Sequence, residues 1–442
     1  MPTPESFSEN FTEGKSRRTR LTSAQLPGAS TLVDIDVENG RIVDIRSIAS
    51  QRTGSDVASA SNSLPEDHVE DLDGMLLVPS LREHHAHLDK ALTADGIVNR
   101  TGDLMGAIQA WVEAEASGVL GLEEMQMRAE SALERMLHCG VTSVRTHVNV
   151  GESDPTFRSL RAVSAARDRF LGLVDVEIVA LMQSPLAGSA GRGNRRALDQ
   201  AIEFGIDLIG GCPHLEADSQ GMISHVLDSA EAAALDVDLH VDESLEPDML
   251  TIELLAQEVV RRGCLRRVTA SHCVSLSVQS MERQVSIARL LREAQIAVIA
   301  LPQTNLFLQG WNHPQSMPRG IAPVKLLLEQ GVSVAAGGDN VQDPFNPVGR
   351  FDPLETASLL VIASHVDPSD ALRVVSTDPR KFEDPLQDLI GAPADFLAID
   401  GTNIREAIAS ASATRRTVRG GHVVAMTTVE KRVIPFEASP PN

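Results

Sequence analysis

The sequence contains no tyrosine, and aromatic residues make up only 3% of it. A flat ligand would therefore be gripped by few rings, chiefly Phe345, Phe307 and Trp311. Cysteine is scarce too: Cys139, Cys212, Cys264 and Cys273 are dispersed without a C-x-x-C pair. That spacing argues against a disulfide framework and reads as reduced thiols of a cytoplasmic protein. No apolar run approaches the roughly 20 residues needed to cross a bilayer. Residues 1–20 lack the apolar stretch of a secretory signal and are expected to form a disordered tail. Positive charge is in deficit, with a formal net charge of −22. Such a surface repels phosphate backbones and anionic membranes, leaving no nucleic acid and no membrane as expected partners. The expected partner is a small molecule, and the chain is expected to form a homo-oligomer.

What is present suits a large α/β core. The 442 residues are 42% hydrophobic, enough for one big barrel with an appendage. Val33, Ile35 and Val37 alternate with polar residues, Asn39-Gly40 intervenes, and Val43 and Ile45 resume the alternation, a hairpin pattern. Thr417-Val418, Gly420-Gly421 and Val423-Val424 repeat it near the other end, after a candidate strand pair over Gly391–Asp400. These β-rich ends (21–78 with 385–436) are expected to build one small β-sandwich domain. The Ser-, Ala- and acid-rich residues 51–71 read as a loop.

The middle, residues 79–384, alternates short apolar strands with amphipathic helices. Strands are expected at Met75–Val78 running into the following histidines, then at Val141–Val150, Val176–Met182, Ile206–Gly210, Val237–Val241, Arg267–Ser271, Ile296–Leu301 and Val332–Ala336. Ile252, Leu255 and Val259 fall at helical spacing before Gly263, and Met281, Val285, Ala288 and Leu291 repeat the spacing. Eight such units predict a (β/α)₈ TIM-like barrel, whose active site lies at the C-terminal ends of its strands.

Those ends carry the chemistry. Strand one leads into Glu83-His84-His85-Ala86-His87, where alternation puts His85 and His87 on one face, half of a divalent-metal site. Strand five ends in His240-Val241-Asp242-Glu243, strand six in His272, and strand eight in Gly337-Gly338-Asp339-Asn340. Asp242 points away from Glu243 and reads as a structural acceptor. His147 and His214 read as structural groups behind the ligands.

The motifs His85-Ala86-His87-Leu88-Asp89, Thr146-His147, Gly210-Gly211-Cys212-Pro213-His214, His240-Val241-Asp242-Glu243, Ser271-His272 and Asp339 through Pro344 occur in that order. In this they resemble the amidohydrolase superfamily, and within it the cytosine-deaminase-like branch. The resemblance implies one divalent ion, Zn or Fe, held by His85, His87, His240 and Asp339. It implies Glu243 as proton shuttle, with His272 and Asp339 also catalytic, and Gln183 as a donor to the substrate. Such an ion lowers the pKa of water, and a nearby carboxyl can carry a proton to a departing nitrogen. The implied activity is that of a metal-dependent aminohydrolase.

Other readings fit less well. Cyclic-amide hydrolases of the superfamily usually carry a carboxylated lysine after strand four, where this chain has no lysine. The Pro-Cys-x-x-Cys pair of small zinc cytidine deaminases is absent, and a decayed, non-catalytic barrel would be expected to have lost a ligand. Three positions depart from cytosine deaminase: Lys90, Asn340 and Phe345. The His-Leu-Asp-Lys form is instead similar to the N-isopropylammelide amidohydrolases. Lys90 either snorkels to solvent or donates to a ring oxygen. With Gln183, Asn340 and Phe345 it completes the expected substrate contacts. The expected substrate is an oxo-pyrimidine or triazine bearing an amino or N-alkylamino group, with cytosine as the alternative.

Overall fold

The computed structural model describes residues 18–48, 68–263, 266–313, 315–376 and 389–434. Eight parallel strands lie in sequence order: β6 (Leu81–Ala86), β7 (Val141–Val150), β8 (Asp175–Met182), β9 (Leu208–Gly210), β10 (Asp236–Val241), β11 (Val268–His272), β12 (Ala297–Ala300) and β13 (Val334–Ala336). The ring closes through a parallel bridge between Ala86 and Asp339, in which the Asp339 N–H donates to the His85 carbonyl at 2.9 Å. The expected barrel is therefore formed, and its closing seam joins two of the motifs singled out above.

The helices cover the strands with their apolar faces. In Thr251–Arg262 the residues Ile252, Leu255, Ala256 and Val259 are buried, and Gly263 ends the helix at φ +59°, a conformation that favours glycine. In Met281–Glu293 the buried face is Gln284, Ile287, Ala288 and Leu291, while Met281 is exposed. The expected stripe through Met281 is off by part of a turn, because Ser280 caps the helix and places Met281 on its first, solvent-facing turn.

Both chain ends form sheets outside the barrel. One runs β3 (Arg41–Ser47), β2 (Val33–Glu38), β1 (Arg18–Ala24), β4 (His68–Asp71); the other runs β16 (His422–Thr427), β15 (Arg415–Arg419), β14 (Phe396–Ile399), β5 (Leu76–Pro79). They share a core containing Leu21, Ile35, Val37, Leu77, Phe396 and Val418. Asn39 and Gly40 both have positive φ and close the β2–β3 hairpin, and Gly420 and Gly421 do the same between β15 and β16, the geometry two-residue hairpins demand.

Four expectations need correction. The apolar run Met75–Val78 does not begin the barrel. It lies in β5, which pairs antiparallel with β14. Leu76 and Val78 face the barrel core while Leu77 faces the sandwich core, so the run is apolar because both faces are covered. The first barrel strand is the next segment, β6. Gly391–Asp400 holds one strand, β14, not a pair. Residues 18–20 of the expected tail belong to β1, where Arg20 pairs with Asp36 at 2.6 Å. Residues 68–71 of the expected loop form β4, parallel to β1. Residues 1–17 and 51–67 lie outside the described residues.

Candidate metal centre and active site

The ends of β6, β10, β11 and β13 bring their polar groups to one point. His85, His87, His240, His272, Glu243 and Asp339 are all buried, none more than 6% exposed. The His240 Nε2 atom lies 3.2 Å from the Nε2 atoms of both His85 and His87. Asp339 Oδ1 lies 3.7 Å from His85 Nε2 and 3.3 Å from His87 Nε2. Asp242, His272 and Asp339, at the ends of their strands, have φ of +53°, +72° and +66°. Strain of this kind in non-glycine residues is characteristic of functional sites.

The hydrogen bonds fix which imidazole nitrogens are free. His87 Nδ1 donates to the His147 carbonyl at 3.1 Å, which leaves its Nε2 lone pair available. Ser271 Oγ gives its proton to Asp238 Oδ1 at 2.8 Å and so accepts from His85 Nδ1 at 3.0 Å. Burial, followed by the crowding of other imidazoles and, for His87, by Lys90, holds His85, His87 and His240 well below the usual histidine pKa. Neutral imidazoles of this kind are ligands for a cation. Two nitrogens each roughly 2.0–2.1 Å from one ion would stand roughly 2.9–3.4 Å apart, the spacing seen. Both carboxylate oxygens of Asp339 are buried without a hydrogen-bond partner, so a divalent ion would satisfy atoms that are otherwise costly to bury.

Acidic groups crowd the same region. Burial pushes Glu83 and Asp343 up to about 7, Glu243 up to about 8, and Asp339 well above the carboxylate range. Glu83 lies beneath the seam, accepting from the His85 N–H and Gly338 N–H, both at 3.0 Å. Asn305 Nδ2 donates to Glu243 Oε1 at 3.2 Å and to His272 Nδ1 at 3.0 Å. With Nδ1 accepting, the proton of neutral His272 sits on Nε2, a buried atom without a protein partner. His272 is pushed down to about 3, first by burial and then by His214.

A cavity of about 540 Å³ opens over these groups, lined also by Lys90, Gln183, Asn340 and Phe345. Lys90 does not snorkel. It is 3% exposed, with Nζ 2.9 Å from Asn149 Oδ1, 3.3 Å from Asp89 Oδ2 and 5.4 Å above the Trp111 ring. Gln183 accepts from Ser153 Oγ at 2.8 Å, and Asn340 Nδ2 donates to Asp343 Oδ2 at 2.7 Å. Asp242 takes the structural part expected of it, accepting from the Thr251 N–H at 2.8 Å and the Ile252 N–H at 3.0 Å to cap the next helix. His214 Nδ1 donates to the His240 carbonyl at 3.1 Å. His147 stacks on His85, with ring centroids 3.9 Å apart.

Two expected stackers are elsewhere. Trp311 is half exposed and lines a neighbouring cavity, and Phe307 lines neither. The ring that sequence reasoning missed is Trp111, which packs with Phe345 in one apolar cluster at the cavity wall. It comes from the helix Leu104–Ser117, which also brings Glu115 to the cavity. Asn305, Ser271, Asp238 and Asn149 were missed because each acts through a contact with a segment far away in sequence. The one available signal was Ser271, immediately before His272.

The amidohydrolase family profile matches residues 115–433. The chain is similar to pterin deaminase of Rhizobium rhizogenes, 31% identical over 360 residues, covering 80% of this chain and 81% of that protein. It is similar to N-isopropylammelide isopropyl amidohydrolase of Pseudomonas sp. strain ADP, 24% identical, covering 76% and 78%. Among solved structures, 5-methylcytosine deaminase from Klebsiella pneumoniae liganded with 5-fluorocytosine superposes with a TM-score of 0.81 at 29% identity, covering 94% and 99%. With its eight-stranded barrel and its convergent histidines, the chain belongs to the amidohydrolase family, whose members are metal-dependent hydrolases of carbon–nitrogen bonds.

Proposed function

We propose that the protein hydrolyses an exocyclic amino or N-alkylamino group from an oxo-substituted pyrimidine or triazine, with cytosine as the second reading. The observation that carries this is the convergence of three imidazole Nε2 atoms on an unpartnered carboxylate in the wall of a cavity also lined by Glu243 and Lys90. His85, His87, His240 and Asp339 would hold one divalent ion, zinc or iron. When bound, it supplies Lewis acidity that makes water nucleophilic near neutral pH.

The chain's own residues move the protons. Glu243 takes one proton as water adds to the ring carbon and passes it to the adjacent ring nitrogen. It then takes the second from the new hydroxyl and delivers it to the departing nitrogen, so the C–N bond breaks, the carbon becomes a carbonyl and free amine leaves. A carboxyl raised to about 8 by burial suits a group that must hold a proton and release it near neutrality. Asn305 keeps Glu243 and His272 in register, and His272 Nε2–H donates to the incoming oxygen. Phe345 covers one face of the ring, Gln183 and Asn340 meet its polar edge, and Lys90 donates to a ring oxygen, which favours oxygen-rich heterocycles.

We assign the activity to the cytoplasm, to a homo-oligomer that binds no nucleic acid. Support comes from the net charge of −22 and from Cys139, Cys212 and Cys273, which are unpaired. Among the described residues no helix is long and apolar enough to cross a membrane. The test is a panel of cytosine, isocytosine, ammelide, N-alkyl ammelides and pterin, followed by released ammonia or alkylamine. Release from oxo-rich rings is expected to exceed release from cytosine; a wide margin for cytosine, unaffected by Lys90→Ala, would refute the substrate assignment.

A further inference from the structure

A second cavity, of about 280 Å³, adjoins the first. Four residues line both: Leu104, His214, Leu215 and Glu243. The wall of the second mixes polar side chains with apolar ones, the latter including Met105, Leu245, Met249, Leu308 and Trp311. Asp103 and Glu246 add negative charge, and no lysine or arginine occurs among the described lining residues.

We propose that this second cavity is a leaving-group subsite, which receives the N-substituent of the departing amine and lets the enzyme cleave N-alkylamino as well as amino heterocycles. This rests on the assignment of Glu243 as the group that protonates the leaving nitrogen. A nitrogen within hydrogen-bond reach of Glu243 lies where the two cavities meet. Its ring occupies the larger cavity, so its substituent extends into the smaller one. The apolar part of its wall suits an alkyl group. After C–N cleavage the atoms balance as ring carbonyl plus free alkylamine, with water supplying the oxygen and the two hydrogens. An alkylamine, with a pKa of about 10.4 like that of lysine, then takes up a further proton from solvent and becomes a cation. Asp103 and Glu246 attract that cation outward, and the lack of lysine or arginine among the described lining residues removes a barrier to its exit.

The test uses one oxo-triazine ring carrying NH₂, N-methyl, N-isopropyl or N-cyclohexyl groups, with wild type, Met249→Trp, Leu245→Phe and Met249→Ala. The readout is kcat/KM for each N-alkyl substrate divided by that for the NH₂ substrate, with Tm measured in parallel. The two filling variants should lower the N-isopropyl ratio tenfold or more, and Met249→Ala should raise the N-cyclohexyl ratio. Ratios that stay within twofold of wild type in folded filling and emptying variants would overturn the subsite. Turnover of the NH₂ substrate without any of the N-alkyl ones would overturn it alone. Release of neither ammonia nor amine from any substrate would overturn the parent reading and the subsite together.

Discussion

Replacing Glu243 by Gln is the sharpest single perturbation of the proposed proton path. The side chain is buried, and Asn305 Nδ2 is 3.2 Å from its Oε1. Glutamine keeps that acceptor and nearly the same volume, so Asn305 and His272 stay in place. Because burial raises the carboxyl to about 8, the surroundings already disfavour a charge at this position, and a neutral amide costs the fold little. What disappears is the capacity to take a proton and return it. General acid–base catalysis of this kind contributes about 10²–10⁴ in rate, or about 2.7–5.4 kcal/mol of barrier at 1.36 kcal/mol per decade. The assay is steady-state amine release at pH 7, with metal content by mass spectrometry and Tm on the same preparations. Rate should fall by that factor while metal and Tm hold. Turnover within about threefold of wild type, with metal retained, would refute the shuttle assignment and move it to His272 or Asp339, since Asp242 is committed to its helix cap.

Three further outcomes follow from the geometry. Lys90→Met keeps the stem and loses the donor, so kcat/KM for oxo-rich rings should fall about 10–100-fold, the worth of a charge-assisted hydrogen bond; an equal fall for every ring would mark Lys90 as merely structural. Ser271→Ala breaks the relay from Asp238 to His85, and metal affinity measured by chelator competition should drop about 10–100-fold, against no change if His85 is held by packing alone. Glu258, pulled down to about 2 by hydrogen bonds from Arg261 and then Arg262, has a folded pKa below its ordinary 4.5. Its stabilisation is full above about 4.5 and is lost as pH falls through about 2, so the Tm gap between wild type and Glu258→Gln should narrow between about pH 6 and pH 3.

The barrel was legible because most of its strands are short apolar runs separated by amphipathic helices, and because His240, His272 and Asp339 close such runs. The strand that failed, Met75–Val78, shows the limit of periodicity. A run buried on both faces looks the same in a barrel and in a small sheet packed against one, and only the pairing with β14 decides. Lys90 shows another limit: its neighbours Asn149 and Trp111 are 59 and 21 positions away, so nothing local distinguishes a buried ammonium from a solvated one. Asn305 and Ser271 are ordinary polar residues in the sequence and acquire meaning only through the bonds they make at the strand ends.

The central claim is that His85, His87, His240 and Asp339 hold a divalent ion on which amine release depends. It is tested by stripping the purified protein with a chelator and titrating Zn²⁺ or Fe²⁺ back while following amine release from an amino-oxo-triazine. Activity should vanish on stripping and return in full at one equivalent of metal; undiminished activity in the metal-free protein would contradict the claim.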